Sequence, residues 1–79
     1  MNITIRYFAA FREATACETE SIDTVAASTA DLFQECADRH PGLQKYSSSL
    51  VAINDEMARW DSPLSDGDEV LFFPPVAGG

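Results

Sequence analysis

The sequence predicts an α+β roll, a β-sheet with one main helix laid across one face. Three observations predict it. Stretches of apolar, β-forming residues recur at Ile3–Phe8, Leu50–Ile53 and Val70–Phe73. One clear helical stripe stands between them, Leu32, Phe33, Cys36 and Ala37. The 79 residues allow one domain with one modest core.

The elements follow in order. Asn2 to Phe8 alternates, with Ile3, Ile5 and Tyr7 on one face and Thr4, Arg6 and Phe8 on the other. That is a first strand with Ile3 and Ile5 in the core. Ala9 to Glu13 leaves the sheet, and Phe11 folds back to cover it. Glu18 to Asp23 reads as a second strand with a weak apolar signal, reached by a long connection.

Thr24 to Ser28 is a linker to the helix. Ser28 or Thr29 can cap it, because either hydroxyl can accept an orphan N–H of the first turn. Asp31 then lies near the positive end of the helix dipole. Arg39 and His40 sit at the other end, and Pro41-Gly42 terminates the helix. Leu43 to Ser49 reads as a polar loop.

Leu50 to Ile53 is a short strand, Asn54-Asp55 a turn, and Met57 to Trp60 a return strand. Asp61-Ser62-Pro63 breaks that strand. Asp66-Gly67 turns the chain again, where Gly67 can take positive φ. Glu69 to Phe73 is the last strand. The expected order is β, β, α, β, β, β. If Ile3, Ile5, Trp60, Val70 and Phe72 face the helix, then Arg6, Phe8, Met57, Arg59, Leu71 and Phe73 face away. Four of those six are apolar, and a solvated sheet face should be mostly polar. An apolar patch of that kind marks a binding surface.

Composition narrows the function. Thirteen acidic residues stand against five basic ones, for a net charge of −8. That disfavours nucleic acid, which needs a basic face, and suits partners with basic surfaces. No apolar run is long enough for a membrane span. The start, Met1 to Arg6, lacks the pattern of a signal peptide, so a cytoplasmic protein is expected. Cys17 and Cys36 would stay reduced there. Neither a Cys-x-x-Cys pair nor a His cluster is present, so no metal site is expected.

The end of the chain is the most informative stretch: Val70-Leu71-Phe72-Phe73-Pro74-Pro75-Val76-Ala77-Gly78-Gly79. Pro74 and Pro75 carry no N–H, so the ladder stops there. A folded domain over 1–73 and a flexible tail over 74–79 are expected. Six residues reach roughly 20 Å at about 3.3 Å each. Gly78 and Gly79 have no Cβ, so they can enter a channel too narrow for other residues. A frayed terminus is the plain alternative. Gly is about 7% of residues, so a chance Gly-Gly end is roughly a 0.5% event, which favours a functional tail.

These residues resemble a known family. Leu64-Ser65-Asp66-Gly67-Asp68-Glu69-Val70-Leu71-Phe72-Phe73 with the Pro-Pro-Val-Ala-Gly-Gly tail is similar to the C-terminal signature of the small subunit of molybdopterin synthase. Tyr7-Phe8-Ala9-Ala10-Phe11-Arg12-Glu13 resembles that family's N-terminal motif. Val51 to Glu56 is similar in kind. The resemblance implies a β-grasp, ubiquitin-like fold, with a mixed sheet, one main helix on one face and an extended Gly-Gly tail. It also implies a sulfur carrier. The Gly79 carboxylate would be adenylated with ATP by a separate activating enzyme and converted to a thiocarboxylate. Its sulfur would pass to a pterin precursor of molybdopterin in the large synthase subunit. Gly79 and Gly78 are then the reacting terminus, and Phe8, Met57, Leu71, Phe73, Pro74, Pro75, Val76 and Ala77 the partner-binding residues.

The chemistry is consistent with that. A terminal carboxyl has a pKa of about 3.5, so at neutral pH it is an anion and a poor electrophile. Joining it to a nucleotide phosphate supplies a leaving group that a sulfur nucleophile can displace. No catalytic side chain is needed, and none stands out. His40 reads as a helix-end residue, and the serines have no evident His-Asp partners. Asp66, Asp68 and Glu69 read as a turn and its solvated rim. No Gly-rich phosphate cradle is present, so the chain is expected to bind no cofactor, ATP being held by the activating enzyme. The alternatives are a thiamine-type sulfur carrier, a ubiquitin-like protein modifier and a non-catalytic interaction module.

Overall fold

The computed structural model describes residues 1–8, 10–45 and 49–73, the backbone alone at 45. The Pro74–Gly79 tail, Ala9 and part of the expected loop before Ser49 lie outside the described residues.

Among the described residues five strands form one mixed sheet: β1 (Asn2–Tyr7), β2 (Thr19–Asp23), β3 (Leu50–Ile53), β4 (Glu56–Met57) and β5 (Glu69–Phe73). Their order is β2-β1-β5-β3-β4. β1 and β5 run parallel at the centre, and every other pair is antiparallel. The main helix, α2 (Thr29–Arg39), contributes Leu32, Cys36 and Ala37 to the core. This is the expected β-grasp.

The alternation in the strands explains their placement. Ile3, Ile5 and Tyr7 of β1 are buried, as are Val70 and Phe72 of β5. Register sets Ile5 opposite Val70, and Tyr7 opposite Phe72. On the other side of β5, Val51 faces Phe72. These rows make the floor on which α2 lies. Phe33 of α2 reaches Phe72 edge-on at 5.0 Å between ring centroids, and Phe11 at 6.3 Å.

Four expectations need correction. Ala10–Thr15 is a short helix, α1, where only an irregular exit was expected. Its Phe11 is fully buried, as anticipated, and that burial fastens a helix of six residues; such a length carries too little periodicity to read. The second strand starts at Thr19, one residue later than expected. The segment after α2 is a 3-10 turn over Pro41–Lys45, and its Leu43 is buried in the core.

The fourth correction concerns Met57 to Trp60. The strand stops at Met57. Beyond it, the carbonyls are taken by the start of α2. Ala30 N–H donates to Trp60 O at 2.9 Å, Thr29 N–H to Ser62 O at 3.1 Å, and the Thr29 hydroxyl to Arg59 O. A helix leaves its first N–H groups without internal partners, and here this segment satisfies two of them. Ser28 is the N-cap, its hydroxyl accepting from Asp31 N–H at 3.3 Å. Thr29, the other candidate cap, is the residue that holds Arg59.

The turns follow the residues that permit them. Asn54 and Asp55 both have positive φ, 50° and 71°, and join β3 to β4; a two-residue hairpin with the right twist needs that pair of angles. Gly67 has φ 88°. The acids around it are used in the turn: Asp66 accepts Asn2 N–H, and Asp68 accepts Ser65 N–H and the Asn54 amide. Among the described residues no helix is long and apolar enough to cross a membrane.

Candidate functional site

The sheet face turned away from α2 is built by register. One row crosses the sheet from Arg6 on β1 to Leu71 on β5, Ala52 on β3 and Met57 on β4. The next row on that face pairs Phe73 with Leu50. Phe8 lies two residues past Arg6 and continues the same side of β1, just beyond its last strand residue. Its N–H still donates to Phe72 O at 3.3 Å.

Phe8, Met57, Leu71 and Phe73, expected at the partner-binding surface, therefore share one face. Phe8 is 62% exposed and Met57 65% exposed. Leu71 and Phe73 are half-buried. Leu50 and Ala52 belong to this face too and were not anticipated, because a short all-apolar strand gives no sign of which residues face which way. Arg59, assigned to this face by alternation, stands past the end of β4 and beside Asp61, at 3.7 Å; register no longer places it there. Arg6 sits 3.4 Å from Glu69, an exposed pair that water screens.

β5 ends at Phe73, and the tail residues Pro74, Pro75, Val76, Ala77, Gly78 and Gly79 follow directly. They lie outside the described residues. The apolar face thus adjoins the point where the tail begins.

The two cysteines are in unlike settings. Cys36 is fully buried in the core, and burial, above all, pushes its thiol up to about 11. Burial likewise raises the Tyr7 phenol, helped by its hydrogen bond to Cys36. Both groups are held neutral, so Cys36 offers no thiolate for sulfur chemistry. Cys17 is half-buried, with Sγ 3.6 Å from Glu20 Oε2. His40 also meets that oxygen, at 3.0 Å from Nε2.

Comparison with known proteins adds four findings. The model of the ThiS family matches residues 5–79, so the match runs through the tail. The molybdopterin synthase sulfur carrier subunit of Escherichia coli (strain K12) is 35% identical over 98% of this chain and 99% of its own length. Among solved structures, small archaeal modifier protein 1 of Haloferax volcanii superposes with a TM-score of 0.84 at 25% identity, covering 95% of this chain and 98% of that one. A chain from the complex of subunits 1 and 2 of molybdopterin-converting factor from Helicobacter pylori superposes at 0.68 with 27% identity, covering all of both chains. On this match and these identities, the chain belongs to the ThiS family.

Proposed function

We propose that the chain is the sulfur-carrier subunit of a molybdopterin synthase. The observation that carries this reading is full-length similarity to a protein of that name, in a family match that extends through Gly79. In the proposed cycle the Gly79 carboxylate attacks the α-phosphorus of ATP on a separate activating enzyme, and pyrophosphate leaves. A sulfur nucleophile then displaces AMP from the acyl-adenylate. The product, a thiocarboxylate, is a softer and stronger nucleophile than the carboxylate. In the large synthase subunit its sulfur bonds to a carbon of the pterin precursor, and water then cleaves the acyl C–S bond, leaving the sulfur on the pterin and returning the Gly79 carboxylate.

In this reading the domain contributes position. The apolar face docks on the large subunit, as the likeness to the two-subunit complex suggests. The tail threads Gly78 and Gly79 into the site, where a Cβ would collide with the channel. The net charge of −8 speeds encounter with basic partner surfaces.

The experiment is intact mass after incubation with activating enzyme, ATP and a sulfur source. Replacement of one oxygen by sulfur, mapped to the C-terminal peptide and stable to thiol reductants, is expected. The Cys17→Ser, Cys36→Ser double variant should still gain it, and a chain lacking Gly79 should not. Sulfur that is lost with reductant or maps to either cysteine overturns the reading.

A second reading is favoured by the likeness to small archaeal modifier protein 1: a modifier joined to lysines through Gly79. Isopeptide-linked adducts in place of the thiocarboxylate would select it.

A further inference from the structure

Cys17 Sγ, Glu20 Oε2 and His40 Nε2 all lie within 4.8 Å of one another. They come from three places: the segment after α1, strand β2 and the C-cap of α2. We propose that these three side chains form a zinc site, with a fourth position open to water or an exogenous ligand.

The donor set suits that ion. A thiolate, an imidazole and a carboxylate fit a borderline-soft divalent metal, whereas calcium and magnesium prefer oxygen alone. Bond lengths of about 2.0–2.3 Å place tetrahedral ligands about 3.3–3.7 Å apart. The pairs Cys17–Glu20 at 3.6 Å and Glu20–His40 at 3.0 Å are already near that spacing. The third edge, within 4.8 Å, has to close by about 1.5 Å at most.

Charge points the same way. The Cys17 thiol and His40 Nε2 converge on one oxygen of Glu20. One dication displaces the thiol proton and takes a lone pair of the neutral imidazole, and with one thiolate and one carboxylate the site becomes neutral. A chain of net charge −8 attracts cations to begin with.

The supporting groups are in place. Glu20 uses its other oxygen to accept from Tyr7 OH at 3.2 Å, with Arg39 at 3.9 Å, so Oε2 is held toward the other ligands. The Tyr7 ring meets the His40 ring edge-on at 5.8 Å. Backbone bonds fix the ligands further: Cys17 N–H donates to Thr15 Oγ1 at 3.3 Å, and His40 N–H to Cys36 O at 2.8 Å. Such outer contacts orient ligands and tune affinity. Glu20 stands opposite Ile5, on the side of the sheet that carries α2 and away from the apolar face, so the proposal does not depend on the sulfur-carrier reading.

The test is titration of the full chain with Zn²⁺ against a chromophoric chelator, and with Co²⁺ as a spectroscopic probe. One equivalent is expected, with a thiolate-to-cobalt charge-transfer band. Cys17→Ser should abolish the band. Cys17→Ser and His40→Gln should each weaken Zn²⁺ by at least about tenfold, and Tyr7→Phe by roughly tenfold. Circular dichroism checks that each variant is folded. Zn²⁺ should also protect Cys17 of the unaltered chain from alkylation, which needs no variant. A missing band, unaltered affinity in Cys17→Ser, or unchanged alkylation of Cys17 overturns the site.

Discussion

Trp60 lies over Phe72, their ring centroids 6.0 Å apart and their planes 11° from parallel. Phe33 meets both rings edge-on, at 5.5 Å and 5.0 Å. This trio ties the segment after β4, the helix α2 and the central strand β5 to one another. It also covers the end of the core nearest the start of α2, where the same segment satisfies the helix N–H groups.

Trp60→Ala is therefore expected to be strongly destabilising. Fully buried aromatic truncations cost about 3–5 kcal/mol. Trp60 is half-buried, so roughly 2–3 kcal/mol is expected. Trp60→Phe keeps a ring there and should lose less than about 1.5 kcal/mol. Urea unfolding of both variants is the measurement. Equal losses would mean that ring packing contributes little and that the indole itself is required.

The apolar face should separate binding from folding. Phe8 is 62% exposed, so Phe8→Ala should leave stability within about 0.5 kcal/mol. Half-buried Phe73 should cost about 1 kcal/mol as Phe73→Ala. On the proposed reading both variants weaken capture by a large synthase subunit, Phe73→Ala by at least about tenfold, as aromatic anchors do. Calorimetric titration beside thermal melts decides it. A Phe73→Ala protein that binds normally would move the docking surface elsewhere.

Ala16 holds φ 60° directly after α1. A Cβ in that conformation costs about 1 kcal/mol, whereas glycine adopts it freely. Ala16→Gly should accordingly stabilise the protein by roughly 0.5–1 kcal/mol, after the extra chain entropy glycine brings to the unfolded state. The expected rise in Tm is about 2–8 °C. A lower Tm would show that the unfolded-state entropy outweighs the relief.

The buried thiol predicts a loss of stability in base. Cys36 is pushed up to about 11, first of all by burial, while an unfolded cysteine ionises near its usual value of about 8.5. The sign follows from linkage. Below about pH 8.5 both states hold the proton and this contribution is whole. As pH rises toward about 11, only the unfolded chain releases it, and the contribution is lost. The raised Tyr7 phenol prolongs the decline in the same direction. Denaturant titrations at about pH 8 and about pH 10.5 should differ by roughly 2 kcal/mol. Cys36→Ala should flatten that slope and leave the part due to Tyr7. An unchanged slope would reject the assignment.

By itself the sequence determined the elements whose information is local. Alternation over Ile3, Ile5 and Tyr7 marked β1. The spacing of Leu32, Cys36 and Ala37 behind Ser28 marked α2 and its cap. Asn54-Asp55 and Gly67 marked turns that need positive φ, and the family signature around Phe73 and the tail named the fold. What only the tertiary structure decided depends on residues far apart in the chain. α1 exists because Phe11 is buried under the sheet, although six residues make a marginal helix alone. β4 ends at Met57 because α2 takes the carbonyls of Arg59, Trp60 and Ser62. Cys17, Glu20 and His40 meet because β2 pairs with β1 and the C-terminal end of α2 lies beside Tyr7. Periodicity reports which side of its own element a residue occupies. Which other element covers that side is set by strand pairing and packing across the whole domain, and no local pattern carries it.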